Sequence, residues 1–400
     1  MRRSIHFILI GSTFLLLLGI FSFGSCGRPD GNNNGGGCTR QDSITTQSKS
    51  AVDTPTKYNF FIENSGSMAG YFSGNRSSDL ETIIQDYYDR LVSENEVAGD
   101  TITLNYINTQ KVNFKGEIES YLSTAKAKCT EKYTKIDDIL SMSMQNAKND
   151  VVNIVISDYC FESNNGNYAT AQSRIKRIFA QQLNNNSNMS VAILKYDAGF
   201  NGKYFPGGIA CNKNMPVYFW IFGDANKVKK VLALSVKKQP LKRLLLQSSM
   251  SPKFSLHASS ARAIAGNDII VKELKKERHE EAYKFEVTVD LSKSILNELE
   301  LKSIGNYSLI SSTASTYSIS SIKNEGDKYT FEIKTSKPSP GSLTIKYDLD
   351  LPQWVEESNF EGAGLPKSGT TSGIKYLIGG VYDAYINKSD SYFTISINLK

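Results

Sequence analysis

Glu63, Ser65 and Ser67 stand at alternate positions in the stretch FFIENSGSMAGYF, residues 60–72. An acid and two hydroxyls at this spacing, directly after an apolar run, can offer their oxygens together to a hard cation. Mg²⁺ prefers oxygen ligands in near-octahedral geometry and keeps some of its waters. Two further oxygens take comparable places. Thr134 lies in YTKIDDIL ahead of a helical pattern, and Asp158 ends VVNIVISD, residues 151–158. Three hydroxyls and one or two carboxylates make a low-charge, incomplete shell, with a position open for an acidic group from elsewhere. Ser65-Gly66-Ser67 alone also suits a plain turn with helix-capping hydroxyls, so the elements around it decide. Asp137 and Asp138, after Thr134, favour a helix N-terminus.

Nucleophilic chemistry finds less support. The three histidines are His6, His257 and His279, and none sits in a nucleophile signature or at a His/Cys zinc spacing. A metal-assisted hydrolase using Ser65 or Ser67 would need a base or a second metal that the sequence does not offer. The expectation is a protein that is not an enzyme.

Strands and helices alternate around these residues. YNFFI (58–62) reads as a strand buried on both faces. In DLETIIQDYYDRLV, Leu80, Ile83, Ile84, Tyr87, Tyr88 and Leu91 share one helical face, with Ser78 or Asp79 as cap. TITLNYIN and KVNFKG read as strands, TKIDDILSMSMQNA as a helix, VVNIVISD as a buried strand and ATAQSRIKRIFAQQL as a helix. MSVAILKY and PVYFWIFGD are further strands, with Trp220 in the core, and KVKKVLALSV is a helix. Between those last two strands, residues 201–216 (NGKYFPGGIACNKNMP) read as a Gly- and Asn-rich insertion, a specificity loop or a surface excursion. Such alternation predicts an α/β fold, a doubly wound, mostly parallel sheet of Rossmann-like type, whose ligands bind beyond the carboxyl ends of the strands.

Residues 56–240, with FIENSGSM, a Thr-bearing loop and IVISD in that order, resemble a von Willebrand factor A (vWA) domain. That family carries Asp-x-Ser-x-Ser after the first strand, a Thr in a later loop and an Asp after the fourth strand, together forming the metal-ion-dependent adhesion site (MIDAS). The resemblance implies that Ser65, Ser67, Thr134 and Asp158 are metal ligands. Glu63 replaces the family's first Asp, which reaches the ion mainly through water. The implied ion is Mg²⁺, or Mn²⁺ or Ca²⁺.

The remaining features set location and boundaries. Arg2 and Arg3 precede a 17-residue apolar run, Phe7–Phe23, and FGSC then ends at Cys26. This resembles a bacterial lipoprotein signal, residues 1–25, with Cys26 as lipidation site; an uncleaved membrane anchor is the other reading. Residues 26–55, rich in Gly, Asn, Ser and Thr, read as a flexible tether. Without the leader the formal charge falls from +6 to +4, mild for 400 residues, and export leaves no nucleic acid to bind. Cys160 and Cys211 are the expected disulfide, with Cys129 the competing partner and three thiols the alternative. Residues 241–268 read as a connector. From 269 to 400 the pattern alternates (YKFEVTVDL, YTFEIKT, LTIKYDLDL, YFTISINL), predicting a β-sandwich-like domain interrupted by a long loop and the short helix IKYLIGGVYDAYI. The resulting expectation is a lipid-anchored protein of the bacterial cell envelope, on the outer membrane or facing the periplasm. Its divalent-cation site docks an acidic group of a protein or glycan partner. The alternative is a metal-free scaffold subunit of an envelope assembly.

Overall fold

β1 (Lys57–Glu63) is buried at every position after its first, as its apolar run requires. In the computed structural model, residues 54–400 are described apart from 75–77, 94–98, 146–149, 162–166, 205–207, 278 and 363. The expected leader, the lipidation site Cys26 and the tether up to residue 53 lie outside the described residues. Among the described residues no helix is long and apolar enough to cross a membrane.

After β1 come a 3₁₀ turn (Met68–Tyr71), α1 (Asp79–Ser93), β2 (Thr101–Ile107), β3 (Lys111–Phe114), α2 (Ile118–Lys128), α3 (Ile136–Met144) and β4 (Val151–Ser157). Then follow α4 (Tyr168–Asn185), β5 (Met189–Tyr204), β6 (Ile209–Asp224), α5 (Ala225–Ala233) and β7 (Lys242–Leu246). Ser78 starts α1 through a reciprocal cap. Its hydroxyl accepts the Glu81 amide at 3.1 Å, and the Glu81 carboxylate accepts the Ser78 amide at 2.8 Å. Ala171, Ile175, Phe179 and Leu183 form the buried stripe of α4, each large side chain contributing about 1.5–3 kcal/mol.

The seven strands form one mixed sheet in the order β3-β2-β1-β4-β6-β5-β7. β1 pairs in parallel with β2 and β4; the other pairs are antiparallel. The expected mostly parallel sheet is therefore corrected. Residues 201–204 and 209–216 are not an inserted loop but the distal part of a hairpin in which β5 and β6, 16 residues each, pair from Met189–Asp224 to Tyr204–Ile209. A hairpin returns the chain antiparallel, so β6 reaches β4 without the crossover that a parallel neighbour needs. Pro216 stays within β6, opposite Asp197.

Residues 241–268, expected as a connector, contain β7 on the edge of this sheet, followed by Phe254–Ala258 and Ile264–Ala265 of two further sheets. The chain is thus α/β and then β-rich. One later sheet has five strands, ordered Tyr307–Ser311, Gly341–Asp348, Ser391–Leu399, Asp268–Ile269 and Ile264–Ala265. A second has four, ordered Tyr317–Glu325, Lys328–Thr335, Tyr283–Asp290 and Phe254–Ala258, and a third pairs Asn359–Phe360 with Thr371–Ser372. Tyr307 of the first packs edge-on against Phe331 of the second, 5.1 Å between ring centres.

The helix Ile374–Ile386, late in the chain, packs on α4 of the first sheet. A Cβ on Gly380 would fall 2.6 Å from the Gln172 carbonyl and 2.8 Å from Ile175 Cβ, so this glycine permits the close approach. Gln172 donates to Asp383 across the pair at 2.8 Å. Val52–Lys400 accordingly forms one compact unit.

Candidate functional site

Parallel pairing brings the ends of three strands to one edge. Glu63 lies opposite Ile107 of β2, and Ile62 opposite Ile156 of β4. The segments after β1, β2 and β4 therefore leave the sheet side by side, carrying Ser65 and Ser67, Asn108, and Asp158.

Glu63 is fully buried. Its Oε1 accepts the Ser65 amide at 2.7 Å and its Oε2 the Ser65 hydroxyl at 2.9 Å. The Ser65 and Ser67 hydroxyls lie 2.9 Å apart. Burial, and secondarily the charge of Asp158, push the Glu63 carboxyl up to about 8, against the lowering contacts from Ser65 and Ser157. Asp158 is also buried, and burial raises its carboxyl against the Cys160 amide and the Ser67 side chain. Two carboxylates this close in a dry site cannot both ionise cheaply, so near neutrality the pair retains a proton.

Asp158 is only half satisfied. Its Oδ1 accepts the Cys160 amide at 3.0 Å, whereas Oδ2 is buried with no hydrogen-bond partner among the described residues. The residue after it, Tyr159, has φ +48°, a conformation costly for a bulky side chain. Its ring is held by stacking on Trp220, centres 4.3 Å apart and planes 17° apart. Strain at this position marks the turn that sets Asp158.

Thr134 arrives through a clamp absent from the sequence reading. Glu131 bridges Ser65, with Gly66 N–H donating to the Glu131 carbonyl at 2.8 Å. Asn108 donates to Glu63 Oε1 at 3.3 Å and to the Tyr133 carbonyl at 2.8 Å, and its Oδ1 accepts the Lys135 amide at 2.9 Å. This buried Asn ties the Thr134 loop to the acid. Its only sequence signal was its place at the end of a strand neighbouring β1. Ser65, Ser67 and Thr134 then line one cleft of about 800 Å³, together with Cys160 and Arg174. Glu63 and Asp158 contact the serines from within the protein.

No disulfide joins Cys160 to Cys211, which corrects that expectation. The Cys160 thiol donates to the Tyr204 hydroxyl at 3.3 Å. Cys211 is held within the hairpin opposite Gly202, and it is not in a loop free to reach Cys160. Cys129 is a third buried thiol, pushed well up by burial and by the nearby carboxyls.

The donor set suits a hard cation in kind: three hydroxyls, a carboxylate oxygen lacking a partner, and a second acid. Asp158 Oδ2 carries this test, because a buried carboxylate oxygen without a donor is expensive unless something positive meets it. The set is poor in charge, and among the described residues no group of three or more His, Cys, Asp or Glu is placed to hold a metal ion by itself. Mg²⁺, which tolerates few protein ligands by keeping waters, fits such a set better than Zn²⁺. No protein-family model, curated protein or solved structure matches the chain.

Proposed function

We propose that the protein is a non-enzymatic binding protein whose vWA-like site at Ser65, Ser67, Thr134 and Asp158 holds a divalent cation, Mg²⁺ in the first instance. The cation offers an open position to an acidic group of a partner. The observation that carries this reading is the unpartnered Asp158 Oδ2, buried beside serines that line the cleft. Glu63 takes part through Ser65, whose hydroxyl it orients. In the same reading the chain is exported and tethered to the bacterial envelope by lipid on Cys26, with the β-rich half as spacer or second surface.

A second reading is a metal-free scaffold subunit. Its support is Glu63, whose two oxygens are already met by Ser65 and Asn108. Mn²⁺ binding followed by electron paramagnetic resonance separates the two. The first reading expects one bound Mn²⁺ per chain, displaced by Mg²⁺. A signal matching free Mn²⁺ at all protein concentrations would leave the scaffold reading.

A further inference from the structure

The cleft above Ser65 and Ser67 is concave, and its volume of about 800 Å³ falls in the range of sites that enclose a small ligand. The beginnings of α3 and α4 meet in its lining, which includes Lys135 and Ile136 from one and Asn167 and Thr170 from the other. Helix starts present amides with partial positive charge and favour anions; the start of α3 has no side-chain cap, whereas at α4 the Thr170 amide donates to Asn167 at 3.1 Å. Lys132, Lys135 and Arg174 add full charges. Asp137 and Asp138 offset part of this, and Arg174 pairs with Asp137 at 3.5 Å. Neither Lys132 nor Lys135 is paired with an acid among the described residues.

Tyr133, on the same lining, is 57% exposed and is the only exposed Phe, Tyr or Trp among the described residues. The Lys132 ammonium lies 5.2 Å from its ring centre. One face of the ring thus carries the Lys132 ammonium, and the exposed ring, which shares the cleft lining with short hydroxyl groups (Ser65, Thr134, Thr170), is a surface for a ring that is apolar on one side and hydroxylated at its rim. A sugar has that form. An acidic peptide would satisfy the cations but makes no specific use of the exposed ring.

We infer that the ligand of this cleft is a carboxylated oligosaccharide. One uronate carboxylate meets the cation, a neighbouring acidic group lies towards Lys135 and the helix starts, and a sugar ring stacks on Tyr133. The inference rests on the cation reading above and adds the ligand class to it.

Calorimetric titration of the full-length protein tests it, using tetragalacturonate, a hyaluronan tetrasaccharide, neutral galactotetraose and tetraglutamate, each with Mg²⁺ or with EDTA. The expected result is saturable, Mg²⁺-dependent binding of at least one uronate tetrasaccharide and none of the neutral one. Tyr133→Ala should weaken it about tenfold without changing Mg²⁺ affinity. Lys135→Gln should weaken it and reduce its salt dependence. Mg²⁺ binding without binding of either uronate overturns the inference and leaves the cation reading standing. Tetraglutamate binding that ignores Tyr133→Ala, with no uronate bound, replaces the sugar by an acidic peptide. Absence of Mg²⁺ binding overturns both.

Discussion

Glu63 turns both carboxylate oxygens onto Ser65, Oε1 to its amide at 2.7 Å and Oε2 to its hydroxyl at 2.9 Å. Asp158 closes in the same way on the amide two positions ahead, Cys160, but with one oxygen only. Glu63 thereby organises the serine loop from below, while Asp158 keeps one oxygen open.

Stability should depend on pH through Glu63. Burial and the charge of Asp158 push its folded-state carboxyl up to about 8 from the ordinary 4.5. Folding therefore takes up a proton between those values, and the contribution of this group is greatest below 4.5, falls as pH rises, and levels off above 8. The slope should reach at most about 1.4 kcal/mol per pH unit. The raised Asp158 carboxyl acts in the same direction. Urea midpoints of cation-free protein across this range should show the decline, and Glu63→Gln should flatten it. An equal slope in the variant would remove Glu63 as its source.

Ser65→Ala deletes the donor to Glu63 Oε2 and the neighbour of the Ser67 hydroxyl. Leaving a buried acceptor short of a partner costs about 1–3 kcal/mol. Denaturation at pH 8, where ionised Glu63 needs the donor most, should show a larger loss than at pH 5. A loss below about 0.5 kcal/mol at both would mean that the contact carries no weight.

Gly202 faces Gly70 so closely that a Cβ there would lie 2.8 Å from Gly70 Cα. Backbone stands on both sides, so Gly202→Ala must push the β5–β6 hairpin off the 3₁₀ turn beside the site. The expected cost is about 1–3 kcal/mol. Gly305→Ala, which meets nothing within 4 Å, serves as control and should change stability by less than about 0.5 kcal/mol. Equal midpoints for the two variants would contradict this packing.

Peptide mapping without reductant, after alkylation in denaturant, should return Cys160 and Cys211 as separately labelled thiols. A cross-linked Cys160–Cys211 peptide would show that the hairpin rearranges.

Much of this arrangement was legible because it is local. The apolar run before Glu63, the stripe of α1 and the β-branched run ending at Asp158 each specify their element with little help from elsewhere. The long hairpin was not legible, since Gly202, Pro216 and the Asn residues at Asn201, Asn212 and Asn214 are ordinary strand breakers. Their strand is kept by packing: Gly202 against Gly70, and Tyr71 donating from the 3₁₀ turn to the Pro216 carbonyl at 2.6 Å. KRLLL of β7 was too short to read as a strand without the β5 edge it joins. The helix Ile374–Ile386 was readable as a helix, but nothing in its own pattern named α4 as its partner. Within the site, residue types pointed to Glu63, Ser65, Ser67, Thr134 and Asp158, whereas Asn108 acts through tertiary hydrogen bonds that leave no spacing to read.

The central claim is that Asp158 completes a cation site, and isothermal titration of Mg²⁺ into wild-type and Asp158→Asn protein tests it most directly. Asn keeps an acceptor for the Cys160 amide while removing the charge, so the variant should fold and melt at or above the wild-type temperature. The account expects one Mg²⁺ site in the wild type, weakened at least about tenfold in the variant. No Mg²⁺ heat in the wild type, or an affinity unchanged by Asp158→Asn, would contradict it.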